Sequence, residues 1–330
     1  MTRETRIELI VVLVSGLVVG SWVGFKLVAR SAQPGPVSSK GTEANSVSSQ
    51  TNRPRVMTAT PGEPVMRPAI IKDEPIRDPG VAPPPAVNDA DVERAKALIA
   101  QGKKHEARAI LTSVILACPE GRQREYVRSL LGRINAELFF SPRTPSPDME
   151  FYDIQGGDVL SHLATRRFGR DVYFKDLLCR INRIRDENRI RVGQRLKAPK
   201  GTFSARVERS RHRMIVFLNG HYIKEYSVAV GAPGSETPLA VFTVANTKQV
   251  DPAWTAPDGN VYPHGHPKNI LGSRWIGFEN TDYSGFGIHG TTDASSVGKS
   301  ISNGCIRMLK DDVEEVFGML MPGEKVTVVE

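Results

Sequence analysis

Toward the C-terminus of this 330-residue chain, two short runs collect the side chains that thiol chemistry requires: Gly287-Ile288-His289-Gly290-Thr291, then Ser302-Asn303-Gly304-Cys305-Ile306-Arg307-Met308. A nucleophilic thiol needs a base, a group that orients the base, and donors aimed at a developing oxyanion. His289 can supply the base, and its separation from Cys305 leaves room for a strand–loop–strand return that brings the two together. Gly304 has no Cβ and lets the backbone come close to a substrate carbonyl. Its N–H, with that of Cys305, would form the oxyanion hole. Arg307 adds positive charge, which favours thiolate and can pair with a carboxylate. Ser302 and Gly290 stand in the same two runs. Taken as residue types alone, a Cys and a His in one domain are equally compatible with core packing.

His264 and His266 form a His-x-His pair that could be combined with His289 and Cys305 into a zinc site by ligand type. The Gly, Ser and Arg positions around Cys305 fit covalent catalysis and have no role at a metal, so no metal or other cofactor is expected. His264 and His266 are read as lining a substrate groove, with Trp275, or as plain exposed loop. Cys118 and Cys179 sit among apolar neighbours and read as small core residues. An odd count of three cysteines argues against a pure disulfide framework.

Charge narrows the partners. The net charge of +8 suggests anionic ones or simply a basic solvated surface. Nucleic acid fits poorly, for the sequence has no aromatic-interleaved basic strand, zinc-finger spacing or recognition-helix pattern.

The elements that must hold Cys305 and His289 begin near Thr202. Ile215, Phe217 and Leu218 start an apolar run that ends at Asn219-Gly220, a two-residue hairpin signal. Tyr222 to Val230 returns, a loop with Gly231, Pro233, Gly234 and Pro238 follows, and Val241 to Val244 is a further strand. Short strands at this spacing predict an all-β sandwich or barrel. Asp311 to Met319 is the one clear helix, and Lys325 to Val329 a last strand. With His289-Gly290-Thr291 and Ser302-x-Gly304-Cys305-Ile306-Arg307-Met308, the stretches "VAVGAPGSETPLAVFTV", "LGSRWIGF" and "GIHG" make residues 203–330 resemble an L,D-transpeptidase (YkuD-type) catalytic domain. Ala240 stands where that family commonly has Gly. The resemblance implies that Cys305 is the nucleophile and His289 the general base and acid, oriented by a backbone carbonyl, in a pocket shaped and charged by Ser302, Gly304, Arg307 and Gly290. It also implies a thioester with a peptidoglycan tetrapeptide stem, release of D-alanine, and a 3–3 cross-link to a second stem. A lipoprotein or water as acceptor would use the same acyl-enzyme, and a non-catalytic wall-binding protein is the alternative from another class.

Ahead of this domain the chain reads as multidomain. Residues 9–25 are uncharged and mostly apolar, at the short end for a spanning helix; residues 1–30 are expected to form a cytoplasmic stub and a single-pass transmembrane signal anchor. The flanking basic residues balance, so the outward placement of the remainder, in the periplasm or wall space, is inferred from the chemistry. Residues 31–87, rich in Pro, Ser, Thr and Gly and without aromatics, read as a disordered linker. In 88–140, Val92, Ala95, Leu98 and Ile99, then Ala107, Ile110, Leu111, Val114 and Ile115, recur at helical period on either side of Gly102, and Tyr126 to Leu138 extends the texture toward a third helix. This helical hairpin resembles one tetratricopeptide-type (TPR-like) unit, either a cap on the next domain or a docking surface for another protein. Pro142, Pro145 and Pro147 mark a linker. Residues 149–200 resemble a LysM module: the opening aromatic, Gly157-Asp158-Val159-Leu160-Ser161, Asn182 and the closing "NRIRVGQRLKAP". Asp158 is read as a helix N-cap. The resemblance implies a βααβ fold and glycan contacts from Gly157, Asp158, Val159, Leu160, Arg189 and Ile190, so peptidoglycan would be met by stem peptide at one domain and glycan at the other.

Overall fold

The computed structural model describes residues 89–330. The expected anchor (residues 9–25) and linker (31–87) lie outside the described residues. Among those described, no helix is long and apolar enough to cross a membrane.

Three helices come first, α1 (Asp89–Ala100), α2 (Lys104–Ala117) and α3 (Arg122–Leu138). The third begins at Arg122 and not at Tyr126, because a charged residue takes a core position. Arg124 is 1% exposed, and its guanidinium donates to the Ile115 carbonyl and, at 2.8 Å, to Glu225. Leu111, Ile115, Val127 and Leu131 close against Ile215, Phe217 and Tyr222 from the sheet described below. Each fully buried large aliphatic side chain contributes about 1.5–3 kcal/mol. The apolar face that a lone hairpin would offer to another protein is therefore covered from within the same chain.

Next, β1 (Met149–Asp153) pairs antiparallel along its whole length with β2 (Arg195–Pro199), and between them lie α4 (Leu160–His162), a π turn (Leu163–Arg167) and α5 (Phe174–Asn182). Strand–helix–helix–strand order is what the sequence predicts for this span. Asp158, however, does not cap a helix: its carboxylate accepts from the Gln155 N–H at 2.7 Å and the Tyr152 hydroxyl at 2.9 Å, closing the preceding turn, while Val159 occupies the N-cap without a side-chain bond.

The remainder is built on one nine-stranded sheet. Its strands are β3 (Phe203–Glu208), β4 (Arg213–Leu218), β5 (His221–Ser227), then, past the short β6 (Val230–Gly231), β7 (Val241–Val244) and β8 (Gln249–Val250). A small hairpin, β9 (Trp254–Thr255) and β10 (Val261–Tyr262), precedes β11 (Arg274–Glu279) and β12 (Gly287–Gly290). β13 (Ser300–Ser302) pairs with β6; β14 (Ile306–Met308), α6 (Lys310–Met319) and β15 (Lys325–Val329) complete the chain. The spatial order is β14-β12-β11-β7-β15-β3-β4-β5, with β8 against β11. Two neighbouring pairs, β12/β14 and β15/β3, are parallel.

The boundaries expected at 141–148 and near 200 do not separate independent bodies. One continuous core runs from Leu160, Leu177 and Leu178 to Val216, Phe242 and Phe317. Lys248, 4% exposed at its side chain, donates to the Phe317 and Leu320 carbonyls at 2.6 and 2.8 Å and pairs with Asp171. Arg170 reaches Glu324 at 3.0 Å and the Met319 carbonyl at 3.0 Å. Tyr173 and Phe317 pack ring to ring at 4.6 Å. On the other side, Lys197 is fully buried and donates to the Leu138 and Ser141 carbonyls at 2.7 and 2.8 Å, a cation at the negative end of α3. Within the proline stretch, buried Asp148 pairs with buried Arg108 and accepts from Asn219 at 2.9 Å. Burial alone would raise its carboxyl, but hydrogen bonds from His221 and Asn219 and the Arg108 charge hold it well below the usual range. Buried charges of this kind persist only when paired and bonded, so the proline stretch is a fixed strap and not a hinge.

Candidate active site

Cys305 ends a turn that begins at Ser302. Ser302 is 1% exposed; its hydroxyl donates to the Cys305 carbonyl at 2.5 Å and accepts the Gly304 N–H at 3.1 Å. One buried hydroxyl thus ties both ends of the turn that carries the thiol. Gly304 has φ +101°, and a Cβ there would stand 2.5 Å from the Phe286 ring, so no other residue fits without displacing an aromatic wall. The bond to Ser302 also corrects one expectation: the Gly304 N–H already has an acceptor and is not a free oxyanion donor.

The sheet brings His289 to the same place. β12 and β14 run parallel with Ile288 opposite Ile306 and His289 opposite Arg307. Arg307, two residues past Cys305, thus stands opposite His289, and its charge acts on both the thiol and the imidazole. Sequence spacing could pose this return but not its parallel sense. The imidazole is buried, with Nδ1 2.6 Å from the Gly290 carbonyl and the Ile270 carbonyl as a second partner. Among the described hydrogen bonds none joins Sγ to the imidazole; Sγ lies 3.8 Å from the Gly285 carbonyl. The ring of Trp275, directly across on β11, stacks 6.0 Å from that of His289.

Electrostatics makes both groups neutral at pH 7. Burial pushes the Cys305 thiol up to about 11, against the Gly287 backbone and the Arg307 charge. Burial lowers His289 to about 4, and Arg307 adds to that, against the Gly290 and Ile270 carbonyls. Half-buried Arg307 makes no ion pair among the described residues, and its Nε is buried without a hydrogen-bond partner. A neutral thiol, a neutral base and an unpaired guanidinium in one site can perform acyl transfer from a substrate that brings its own carboxylate.

The other expected positions fall around this centre or away from it. Gly290 is buried, and Gly272 comes so close that a Cβ on the latter would lie 3.0 Å from the Gly290 backbone. His264 holds the Gly272 carbonyl at 3.0 Å, and His266 leans on Tyr262 at 4.8 Å. Ile270, whose carbonyl meets the His289 imidazole, was not anticipated, nor were Trp254 and Tyr262, although Asp258-Gly259 between Trp254-Thr255 and Val261-Tyr262 is a legible hairpin signal. Among the described residues, the groups that meet at metal-binding distance are His105, Asp148 and His221, within 4.8 Å of one another. The Arg108 guanidinium sits among them, 3.3 Å from His105 and 3.5 Å from His221. In the βααβ span Gly157 and Val159 are exposed, while Leu160 is 2% exposed and belongs to the core. Arg189 borders a depression of about 610 Å³ formed by residues 182–194.

Residues 202–328 match the family model described as the L,D-transpeptidase catalytic domain. The chain is 37% identical over 126 residues to the L,D-transpeptidase-family protein YqjB of Bacillus subtilis (strain 168), covering 38% of this chain and 69% of that one. It is 32% identical over 111 residues to YkuD of the same organism, covering 34% and 56%. A solved L,D-transpeptidase from Mycobacterium smegmatis superimposes with a TM-score of 0.33 at 17% identity, covering 42% of this chain and 65% of that one.

Proposed function

Since this chain belongs to the L,D-transpeptidase family, we propose that it joins peptidoglycan stem peptides by 3–3 cross-links through a thioester on Cys305. The observation that carries the reading is the register of the parallel β12/β14 pair, which sets His289 opposite Arg307, two residues past Cys305. In the first half-reaction the Cys305 sulfur attacks the carbonyl preceding the terminal D-alanine. A C–S bond forms, the C–N bond breaks, and the thiol proton passes through His289 to the departing amine. In the second, an amine of another stem attacks the thioester; a C–N bond forms, the C–S bond breaks, and the amine proton returns through His289 to sulfur. The Gly290 carbonyl orients the imidazole, the Cys305 N–H serves the oxyanion, and Arg307 receives a stem carboxylate. His264, His266 and Trp275 border the groove that admits the stem.

The βααβ span is read as a LysM module whose exposed Gly157 and Val159, with Arg189, meet glycan. Residues 9–25 are read as a membrane anchor that places the described residues outside the cytoplasm. Protease added to spheroplasts should then digest residues 89–330 while sparing a cytoplasmic control; equal protection of both would remove the anchor reading.

The deciding experiment is intact-mass analysis of the protein with a defined tetrapeptide. The expected adduct is the stem lacking its D-alanine, on Cys305, converted to a cross-linked dimer by an amine-bearing stem. Dimer formation by the Cys305→Ala protein would overturn the thioester. Release of free tripeptide alone in the presence of abundant acceptor would make the protein a carboxypeptidase.

A further inference from the structure

Strands β11 and β12 face each other in three antiparallel pairs: Trp275 opposite His289, Ile276 opposite Ile288, and Gly277 opposite Gly287. Side chains alternate faces along a strand. The two isoleucines, both fully buried, therefore take one face, and the tryptophan, the histidine and the two glycines share the other. On that face the glycine pair leaves a shallow slot, and the Trp275 indole lies in it. A Cβ on Gly287 would stand 2.8 and 3.0 Å from Cη2 and Cζ2 of the ring, and one on Gly277 would stand 3.1 Å from Nε1. The indole thus spans both glycines, and a side chain at either would lift it. Neither glycine has the positive φ that would otherwise call for this residue; what each supplies is room.

The slot sets where the indole stands against its neighbour. The Trp275 and His289 rings stack with 6.0 Å between centroids and 29° between planes. His289 is 2% exposed, and its other partners come from three directions. The Gly290 carbonyl lies 2.6 Å from Nδ1, the Ile270 carbonyl arrives from the segment before β11, and Arg307 on β14 is the charged group that acts on the ring. Carbonyls hold the imidazole at its edge, whereas the indole lies along a face. The same indole lies over Gly287, whose backbone meets the Cys305 thiol. One side chain therefore adjoins both partners in the proton transfer.

We propose that Trp275 is a positioning residue for the general base: its indole, seated on the Gly277–Gly287 pair, fixes the plane of the His289 imidazole and excludes water from that face. The inference rests on the thioester reading and deepens it, because a base held dry and in one plane takes the thiol proton only as sulfur attacks. Burial is the largest cause of the lowered pKa of His289, and the indole is part of what buries it. With the indole removed, water reaches the ring, the imidazolium is better solvated, and the pKa rises toward the ordinary value of 6.5. Arg307 and the two carbonyls keep their places, so the rise reports the indole. A tryptophan that served packing alone would, when removed, lower stability and leave the titration of the ring where it was.

NMR of the full chain, labelled at the histidine ring carbons, follows His289 directly, its signal assigned by its loss in His289→Gln. The wild-type midpoint should lie near 4. In Trp275→Ala it should rise by about one pH unit or more, and in Trp275→Leu, which fills the slot without lying across it, by about half a unit. Trp275→Phe, which keeps an aromatic ring there, should stay nearer to wild type than either. Acylation by a defined tetrapeptide, read by intact mass, should follow the same order. Between about pH 8 and about pH 5 its rate should drop roughly twofold or more in Trp275→Ala and hardly at all in wild type. Wild-type midpoints in Trp275→Ala and Trp275→Leu, or in the second alone if the first does not fold, would overturn the proposal, whatever the melting temperature or the KM for tetrapeptide. If wild-type protein formed no acyl-enzyme at all, the thioester reading would fail, while the ring titration would still decide the role of Trp275.

Discussion

At the scale of single residues, the pair Cys305–His289 makes a definite statement about pH. With the imidazole near 4 and the thiol near 11, both are neutral over the intervening range, so proton transfer must accompany attack. Acylation measured against pH should be nearly flat from about 5 to 10 and fall on the acid side as His289 is protonated. A steep rise between pH 6 and 8 would instead indicate a thiol that ionises before it attacks. Stability follows the same sign. A histidine with its folded pKa depressed binds fewer protons than in the unfolded chain, so its contribution is complete above about 6.5 and is lost as pH falls toward 4, some 3 kcal/mol in all. The His289→Gln protein should lack this acid-side loss in a series of urea melts. Ser302 tests the turn. Ser302→Ala leaves the Gly304 N–H without its acceptor, at a cost of about 1–3 kcal/mol. Turnover should fall more than thermal stability does, because the thiol loses its fixed position. Unchanged turnover would mean that the hydroxyl matters only for packing.

At the scale of elements, the lesson concerns which signals a sequence carries. Apolar periodicity located α1, α2 and the strands around Asn219-Gly220, since those elements bury one face and the pattern records it. The βααβ span was legible from its turn residues and its closing strand. The start of α3 was not, because Arg124 is buried by virtue of partners distant in sequence. Nor was the role of Asp158, since N-cap and turn-closing carboxylates share one local pattern. The site was half legible: the glycines and the Ser302–Cys305 turn are local, whereas the Ile270 carbonyl reaches His289 only through tertiary contact. Lys197 shows how such contacts can be tested. Burial lowers its amine to about 8, while the two carbonyls at the end of α3 favour the charged form. The unfolded chain therefore binds more protons between about 8 and 10.5, and stability from this residue rises with pH across that window. The stability of wild type minus that of Lys197→Met should increase by up to about 3 kcal/mol from pH 8 to 10.5. A flat difference would show that the carbonyls fully offset desolvation.

At the scale of the molecule, the fused core replaces a chain of beads with one body over residues 89–330. Arg170, Lys248 and Lys197 each join parts that the prolines and the 149–200 and 203–330 boundaries had set apart. Calorimetry on the full chain should show a single cooperative transition for this body. A fragment of residues 149–200 alone, stripped of the Phe317 and Gly318 surface that covers Tyr173 and Leu177, should be largely unfolded. Two resolved transitions, or a fragment with native-like dispersion, would restore the picture of independent modules. Glycan binding is therefore best sought with the intact body.

The three thiols share one property. Cys118, Cys179 and Cys305 are all free, and burial raises each, the last two to about 11. The thiolate is the form that attacks peroxides and disulfide reagents, and at pH 7 only on the order of one Cys305 in ten thousand is in that form. The weak acidity that the proposed role of His289 answers thus also acts as a preservative. Peroxide added without substrate should therefore leave the Cys305 thiol reduced by intact mass, and modification as fast as that of free cysteine would show a thiolate at rest.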